Sequence, residues 1–426
     1  MKMTPYWLDT TPPFASGAQD GPDGVADVAV VGAGFTGLSA ALALAKKGAR
    51  VVVLEADRVA GAASGRNGGM CNNGFAQDFA TLAGQFGTER AAMLYRAFDA
   101  GVDKVESIVT EERIDCHFGR VGKLKLAAKP EHYDKIARSQ ALLARHVDPE
   151  TRMVPPAEMR AEIGSDRYFG GMLYEKSASM HMGMYGQGLA EAAARHGATI
   201  HEHNPVIGMR RMGGQVHELT TPHGSVRANQ VLLATGTSAV GPLGWFRRRI
   251  VPVGAYLIAT EPLSSEQLDR LTPHRRNTVD TRNFVNYFRT LPDNRLLFGG
   301  RARFSGRSDP ASDAKSGVLL RAAMVDVFPE LADTRIDYCW GGLVDMTRDR
   351  LPRAGERDGL FYSMGYSGHG THMATYMGAI MAEVLDGRAD LNPWRDFDWP
   401  AIPGHFGKPW FLPIVGAYYR VKDLLH

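Results

Sequence analysis

Residues 28 to 56 read VAVVGAGFTGLSAALALAKKGARVVVLEA. The apolar run Ala26 to Val31 is the composition of a strand buried on both faces. From Gly37 the text is rich in Ala and Leu and closes on Lys46, Lys47 and Gly48, a helix with a cationic, glycine-stopped end. A second apolar strand, Arg50 to Leu54, then ends at Glu55. The whole is a βαβ unit of about 30 residues, the length such a unit needs.

Between its first strand and helix, Gly32, Gly34 and Gly37 have the GxGxxG spacing. The first glycine permits a tight turn, the second lets a pyrophosphate approach the backbone, and the third lets helix and strand pack closely. The helix N-terminus supplies unpaired N–H groups and partial positive charge to phosphate. Glu55, eighteen residues beyond Gly37, is placed to accept hydrogen bonds from adenosine ribose hydroxyls and would repel a 2′-phosphate. The bland alternative is a glycine-rich turn between packed elements with Glu55 merely exposed.

Further along, Ala60 to Gly74 is a small-residue loop, followed by helical patterns from Phe79 to Thr110 and around Pro130 to Arg145, with strands from Cys116 to Ala128 between them. Parallel-sheet text returns at residues 185 to 236, closing on VLLATG, and again at Leu360 to Gly387. Ile250 to Arg303 is mostly strand-like. A chain of 426 residues exceeds one ordinary core, so the expectation is a first fold unit interrupted by a sheet-rich second one.

Composition narrows the function classes. Lys and Arg number 49 against 46 Asp and Glu, net +3, and are scattered, so nothing argues for nucleic acid. Cys71, Cys116 and Cys339 form no CxxC pair and no metal-ligand spacing, which predicts no disulfide framework, no metal and a cytoplasmic location. No signal peptide and no membrane-length apolar run is present. A membrane partner is not expected, and the apolar, base-flecked tail from residue 391 to 426 is expected to dock on the body, with a membrane-surface helix or a partner contact as the alternative.

The combination of VAVVGAGFTGLSAALALAKKGARVVVLEA, SGRNGG (64 to 69), VLLATG (231 to 236) and GYSGHG (365 to 370) resembles the D-amino-acid oxidase/glycine oxidase/sarcosine oxidase superfamily of FAD enzymes. Within it, ATEPL (259 to 263), YFRTLPDNRLLFGGRARF (287 to 304), WGGLVDMTRDRLPRAG (340 to 355) and the tail PGHFGKPWFLPIVGAYYRVKD resemble the γ-glutamylputrescine oxidase-like branch. The resemblance implies an α/β (α+β) fold: a discontinuous Rossmann-type FAD-binding domain over 25–115, 180–249 and 345–390, and a substrate domain on a large, mainly antiparallel sheet over 116–179 and 250–344.

It further implies non-covalent FAD held at Gly32, Gly34, Phe35, Thr36, Gly37, Glu55 and Ala56; at Ser64, Arg66, Asn67 and Gly68; at Val206 and Gly236; and at Gly365, Ser367, Gly368, His369, Gly370 and Thr371. Three glycines within GYSGHG, ahead of a helix, suit a backbone nest for negative charge. Some relatives attach the flavin through a cysteine on the strand carrying Cys339, but the matching position is Gly342. The implied reaction is oxidation of an amine or amino acid to an imine that hydrolyses to an aldehyde or keto acid, with O2 reduced to H2O2; the alternatives are a dehydrogenase passing electrons to a carrier or quinone and, from another class, a flavin-binding protein without redox function. Arg301 stands near the position of an oxygen-activating lysine, and His372 replaces a lysine that holds a substrate carboxylate in relatives. Tyr256, Tyr287 and Trp340 are candidates for an aromatic wall over the substrate, with core packing as the alternative for each.

Overall fold

In the computed structural model, which describes every residue except 239, 301–305, 307 and 426 and the side chains of 424 and 425, the strand Val25–Val31 lies in the middle of a parallel array. Its neighbours are Val51–Leu54 on one side and the end of Gly224–Leu233 on the other, with Val31 level with Leu54 and Leu233. Thr199–His201 extends the array beyond the second strand, and Leu360–Met364 extends it beyond Leu233. Five parallel strands thus come from three distant stretches of chain, and all their carboxyl ends fall on one edge. The antiparallel strands Val216–Thr221, Gly208–Gly213 and Arg353–Arg357 complete eight.

The second sheet also has eight strands, in the order Ile336–Met346, Val251–Thr260, Leu296–Gly300, Asn286–Thr290, Asn277–Asp280, Lys123–Leu126, Gly171–Tyr174 and Arg152–Val154. Among the described strands of this sheet, only the pairing of Asn277–Asp280 with Lys123–Leu126 is parallel. One face carries the helix Pro310–Val327 over a core that includes Ile258, Phe288, Phe298, Leu320 and Phe328. The other face looks toward the carboxyl ends of the parallel strands.

Helix Phe35–Lys46 packs between Met182–Arg195 and Gly370–Leu385, in the largest of three cores. The N-terminal leader, which composition marked only as rich in proline and glycine, is built into that core. Trp7 is fully buried, donates its indole N–H to the Asn67 carbonyl at 2.7 Å and packs edge-on against Trp340 at 6.5 Å. Trp7→Phe leaves that carbonyl without a donor. An unpaired buried acceptor costs about 1 to 3 kcal/mol, so the variant is expected to melt at lower temperature in a thermal scan. An unchanged melting point would show the bond to be dispensable.

Leu412 is buried, and in the helix Leu412–Leu425 the Asp423 carboxylate accepts from the Asn283 N–H (2.9 Å), the Asn283 side-chain amide (2.7 Å) and the Phe284 N–H (2.8 Å).

Candidate active site

The three glycines of the first loop are required for three different reasons. Gly32 has φ +106°, and a Cβ there would stand 2.7 Å from the Ala234 carbonyl oxygen; a left-handed backbone favours glycine. A Cβ at Gly37 would overlap the Gly32 carbonyl oxygen. Gly34 has neither constraint. Its φ of −81° and ψ of −177° suit any residue, and a Cβ would meet no backbone, only the Ser64 hydroxyl at 3.0 Å, in the wall of a cavity. Glycine at 34 keeps space open for a group outside the chain.

That cavity measures about 1090 Å³ and runs from the carboxyl ends of the parallel strands to the second sheet. Its size lies at the upper end for ligand sites, room for a dinucleotide and a small substrate, and its position beyond the strand ends is where open α/β sheets bind ligands. Of the residues expected to hold a cofactor, Gly32, Gly34, Phe35, Thr36, Glu55, Ala56, Ser64, Arg66, Asn67, Gly68, Val206, Gly236, Ser367, Gly368, His369, Gly370 and Thr371 all line it. Gly37 and Gly365 stand behind the wall.

Around the first loop, Glu55 accepts from the Ala33 N–H at 2.7 Å and the Asp57 N–H at 2.9 Å, while burial raises its pKa. Ser64 accepts from the Phe35 N–H at 3.0 Å, laying the 64–68 turn over the helix N-terminus. Arg66 donates from Nε to the Gly61 carbonyl at 2.9 Å and from Nη1 to the Gly341 carbonyl at 3.2 Å. Trp340, a candidate for the substrate wall, instead donates to the Arg66 carbonyl at 3.0 Å and supports this turn from behind. Fully enclosed Arg289 does the same for the next residues, donating to the Gly69 and Met180 carbonyls at 3.0 Å each.

Asn67 joins the two halves of the site: its side-chain oxygen accepts from the Gly69 N–H at 2.8 Å and the Thr371 hydroxyl at 3.3 Å. The 365–370 loop is held by a residue the sequence reading passed over. Asp345 accepts from the Gly365 N–H at 2.6 Å, and burial pushes its pKa up to about 6. Ser367 completes the anchor, accepting from the Thr347 N–H at 3.1 Å. Helix Gly370–Leu385 then starts at the cavity, presenting its positive end.

The remaining expectations divide. Arg301 lies outside the described residues. His372 lines the cavity, yet its ring packs 5.9 Å from Phe98, burial holds its pKa well below the ordinary value, and neither ring nitrogen has a partner among the described residues. A cationic carboxylate anchor is therefore not what this histidine presents. His369 is neutral too, its pKa lowered to about 4 by burial.

Tyr256 is a correction. It is fully buried on the opposite face of its strand, in the core under Pro310–Val327, with its hydroxyl 3.4 Å from Ser312. Its neighbours Ala255 and Leu257 face the cavity instead. Tyr287 does line the cavity, its ring against Gly68 and Gly299.

The end of the cavity away from the glycine loop holds a group of ionisable residues. Lys123 is buried, donates to the Asn73 carbonyl at 2.5 Å and lies over the Tyr174 ring at 3.6 Å. Burial, and then the charge of Lys125, bring its pKa down to about 7. Lys125 pairs with Asp78 at 2.5 Å, and Lys135 reaches the same carboxylate at 3.4 Å. Asp280, also in the wall, is pushed up to about 6 by burial.

One Asp280 oxygen accepts from the Arg282 and Asn286 N–H groups at 3.2 and 3.0 Å, and the other has no hydrogen-bond partner among the described residues. A carboxyl with a raised folded pKa binds its proton more readily folded than unfolded. Its stability is present at low pH and lost as pH rises from about 4 through 6. Asp280→Asn is expected to flatten that slope and to stabilise the chain at pH 8 by about 1 to 3 kcal/mol. Urea melts at pH 5 and pH 8 check it; a variant that keeps the slope contradicts the assignment.

Residues 27–384 match the family described as FAD dependent oxidoreductase, DAO. The chain belongs to this family. It is 34% identical over 408 residues to the probable oxidoreductase OrdL of Haemophilus influenzae, covering 93% of this chain and 92% of that one. It is 31% identical over 406 residues to the γ-glutamylputrescine oxidoreductase of Escherichia coli, covering 94% and 93%. Among solved structures, glycine oxidase from Geobacillus kaustophilus superimposes with a TM-score of 0.69 at 21% identity, over 89% of this chain and 97% of that one.

Membership implies FAD, and the residues present fit it. No backbone stands where a Gly34 Cβ would be, the carboxylate of Glu55 lies at the next strand end, and the buried His369 Nδ1 has no partner among the described residues. Gly32 to Gly34 with Ser64 would hold the pyrophosphate, Glu55 the adenosine ribose, and the 365–371 loop the redox-active ring.

Proposed function

We propose that this chain oxidises a C–N bond of an amine or amino acid to an imine, which water hydrolyses to an aldehyde or keto acid and a smaller amine. Two electrons and two protons leave the substrate's C–H and N–H, and O2 takes them up as H2O2. FAD, when bound, supplies the hydride-accepting ring. The chain's own part is to hold and orient that ring, exclude water, and take a proton from the substrate amine at Lys123.

The observation that carries this reading is the continuity of one cavity from the glycine loop to a buried lysine of lowered pKa. A neutral amine at that end accepts the proton of a substrate ammonium, and only an unprotonated amine can yield a hydride. The E. coli relative named for γ-glutamylputrescine makes that compound the first substrate to try. Non-covalent attachment is supported by the cysteines: Cys71, Cys116 and Cys339 are buried and none lines the cavity. Yellow colour in an acid-precipitated pellet would overturn that part. Free buried thiols also favour a reducing, cytoplasmic setting.

The division into FAD-binding stretches (25–115, 180–249, 345–390) and substrate stretches (116–179, 250–344) belongs to the same reading, supported by which strands share a sheet. The test is anaerobic mixing of the yellow protein with γ-glutamylputrescine, other putrescine derivatives, N-methyl and cyclic amino acids, and D- and L-amino acids. Bleaching of the flavin band by at least one supports the reading, and none across the panel sinks it. Peroxide formation on readmitting air, against turnover only with an artificial dye, separates an oxidase from a dehydrogenase that serves a carrier.

A further inference from the structure

We propose that the outer face of the C-terminal helix Leu412–Leu425 rests on an anionic lipid surface. Among the described residues, the helix is docked by one side only. Leu412 and Gly416 are buried and Asp423 is hydrogen-bonded to the Asn283–Phe284 turn. On the other side Trp410, Ile414, Tyr418 and Val421, spaced at helical intervals, are 64%, 65%, 63% and 54% exposed, and Phe406 just before them is 77% exposed. No other stretch among the described residues gathers so many bare large apolar side chains. A row of this kind costs solubility unless something covers it.

The chemistry of the row points to lipid. Trp and Tyr have an apolar body with a polar tip, the form that suits a membrane interface. From Gly404 onward the bases Lys408, Arg420 and Lys422 outnumber a single acid, Asp423; that acid is turned inward and Arg420 leans over the Phe284 ring at 5.8 Å, while Lys408 and Lys422 are exposed. The outer surface is thus apolar and cationic, which matches anionic headgroups over a hydrocarbon boundary. A second copy of the chain is a poorer match, because a two-fold contact would set these cations against their own counterparts. Among the described residues no helix is long and apolar enough to cross a membrane, so the contact lies on the surface. Its place matters, because Arg282, Asn283 and Val285, beside the turn that Asp423 pins, line the cavity.

The test uses the full-length, FAD-loaded chain and vesicles of phosphatidylcholine with or without phosphatidylglycerol. The wild type is expected to co-sediment with the anionic vesicles at least tenfold more than with the neutral ones, and to be released by 0.5 M salt. The variant Ile414→Ser/Tyr418→Ser/Val421→Ser is expected to lose at least tenfold in partitioning while keeping its flavin spectrum and melting point. A control on another exposed apolar pair, Val318→Ser/Leu319→Ser, is expected to partition like the wild type. Should the triple variant misfold, Lys408→Glu/Lys422→Glu asks the same question through charge. Wild-type protein that ignores anionic vesicles, partitioning unmoved by the variants, or a dimer in sedimentation that the triple variant dissolves would each overturn the proposal. Neither flavin reduction nor substrate enters the readout, so it stands or falls apart from the proposed reaction.

Discussion

Gly34→Val is expected to purify folded and colourless. The backbone at 34 is extended and accepts any side chain, and a Cβ there meets no main chain, so the strand, helix and sheet around it have no reason to rearrange. The isopropyl group would instead fill the space between the helix N-terminus and Ser64, where the pyrophosphate has to approach the N–H groups. A pyrophosphate pushed off those donors loses several charge-assisted hydrogen bonds at about 1.5 to 3 kcal/mol each. Flavin absorbance per polypeptide should fall by more than tenfold, with circular dichroism unchanged. A yellow, normally loaded variant would show that the loop does not carry the cofactor.

Lys123→Met is expected to lower kcat/KM for any amine that bleaches the flavin by about 10² to 10⁴-fold, the usual worth of a positioned base. The sign follows from the pKa of about 7: Lys123 is protonated and inactive below that pH and neutral above it. The wild-type profile should therefore rise through pH 7, and the variant should lose that limb while keeping any rise that belongs to the substrate's own ammonium at higher pH. Lys123→Arg keeps the charge but cannot act as a base, so it should not restore the limb. Removing Lys123 also leaves the Asn73 carbonyl without its donor, at about 1 to 3 kcal/mol, so the melting point is expected to fall; the pH limb, not the melting point, separates a base from a merely structural lysine. An unaltered limb near pH 7 in the methionine variant contradicts the assignment.

The glycine loop and its βαβ unit were legible because every signal lies within one short stretch and each element's composition agrees with its neighbour's. The returning parallel strands Gly224–Leu233 and Leu360–Met364 were legible for the same reason, each ending in a buried apolar run with a glycine close behind. Local signals elsewhere were present but outvoted. Ser264 and Gln267 form a capping box that starts the helix Ser265–Leu271 inside a stretch that otherwise reads as strand. Asp309 and Pro310 likewise open the helix Pro310–Val327, where no element was expected.

Faces were harder than elements. Tyr256 and Tyr287 both sit on strands, and period-two alternation shows which residues share a face without saying which face meets the cavity when both are covered. Asp345 was hidden differently, as one acid in a strand whose only apparent interest was its neighbouring glycine and cysteine. Its importance arises from a hydrogen bond to a loop twenty residues away in sequence.

By itself the sequence determined the βαβ unit, its glycine loop and the acidic residue that follows, since each depends on residues adjacent along the chain, and the family, through several short motifs each legible in the same way. Only the tertiary structure decided what Lys123 and Lys125 do. In KLKL the two lysines alternate with leucine, which is the pattern of a strand facing water. A strand facing a polar cavity has the same pattern, and the difference lies in what distant segments fold across it.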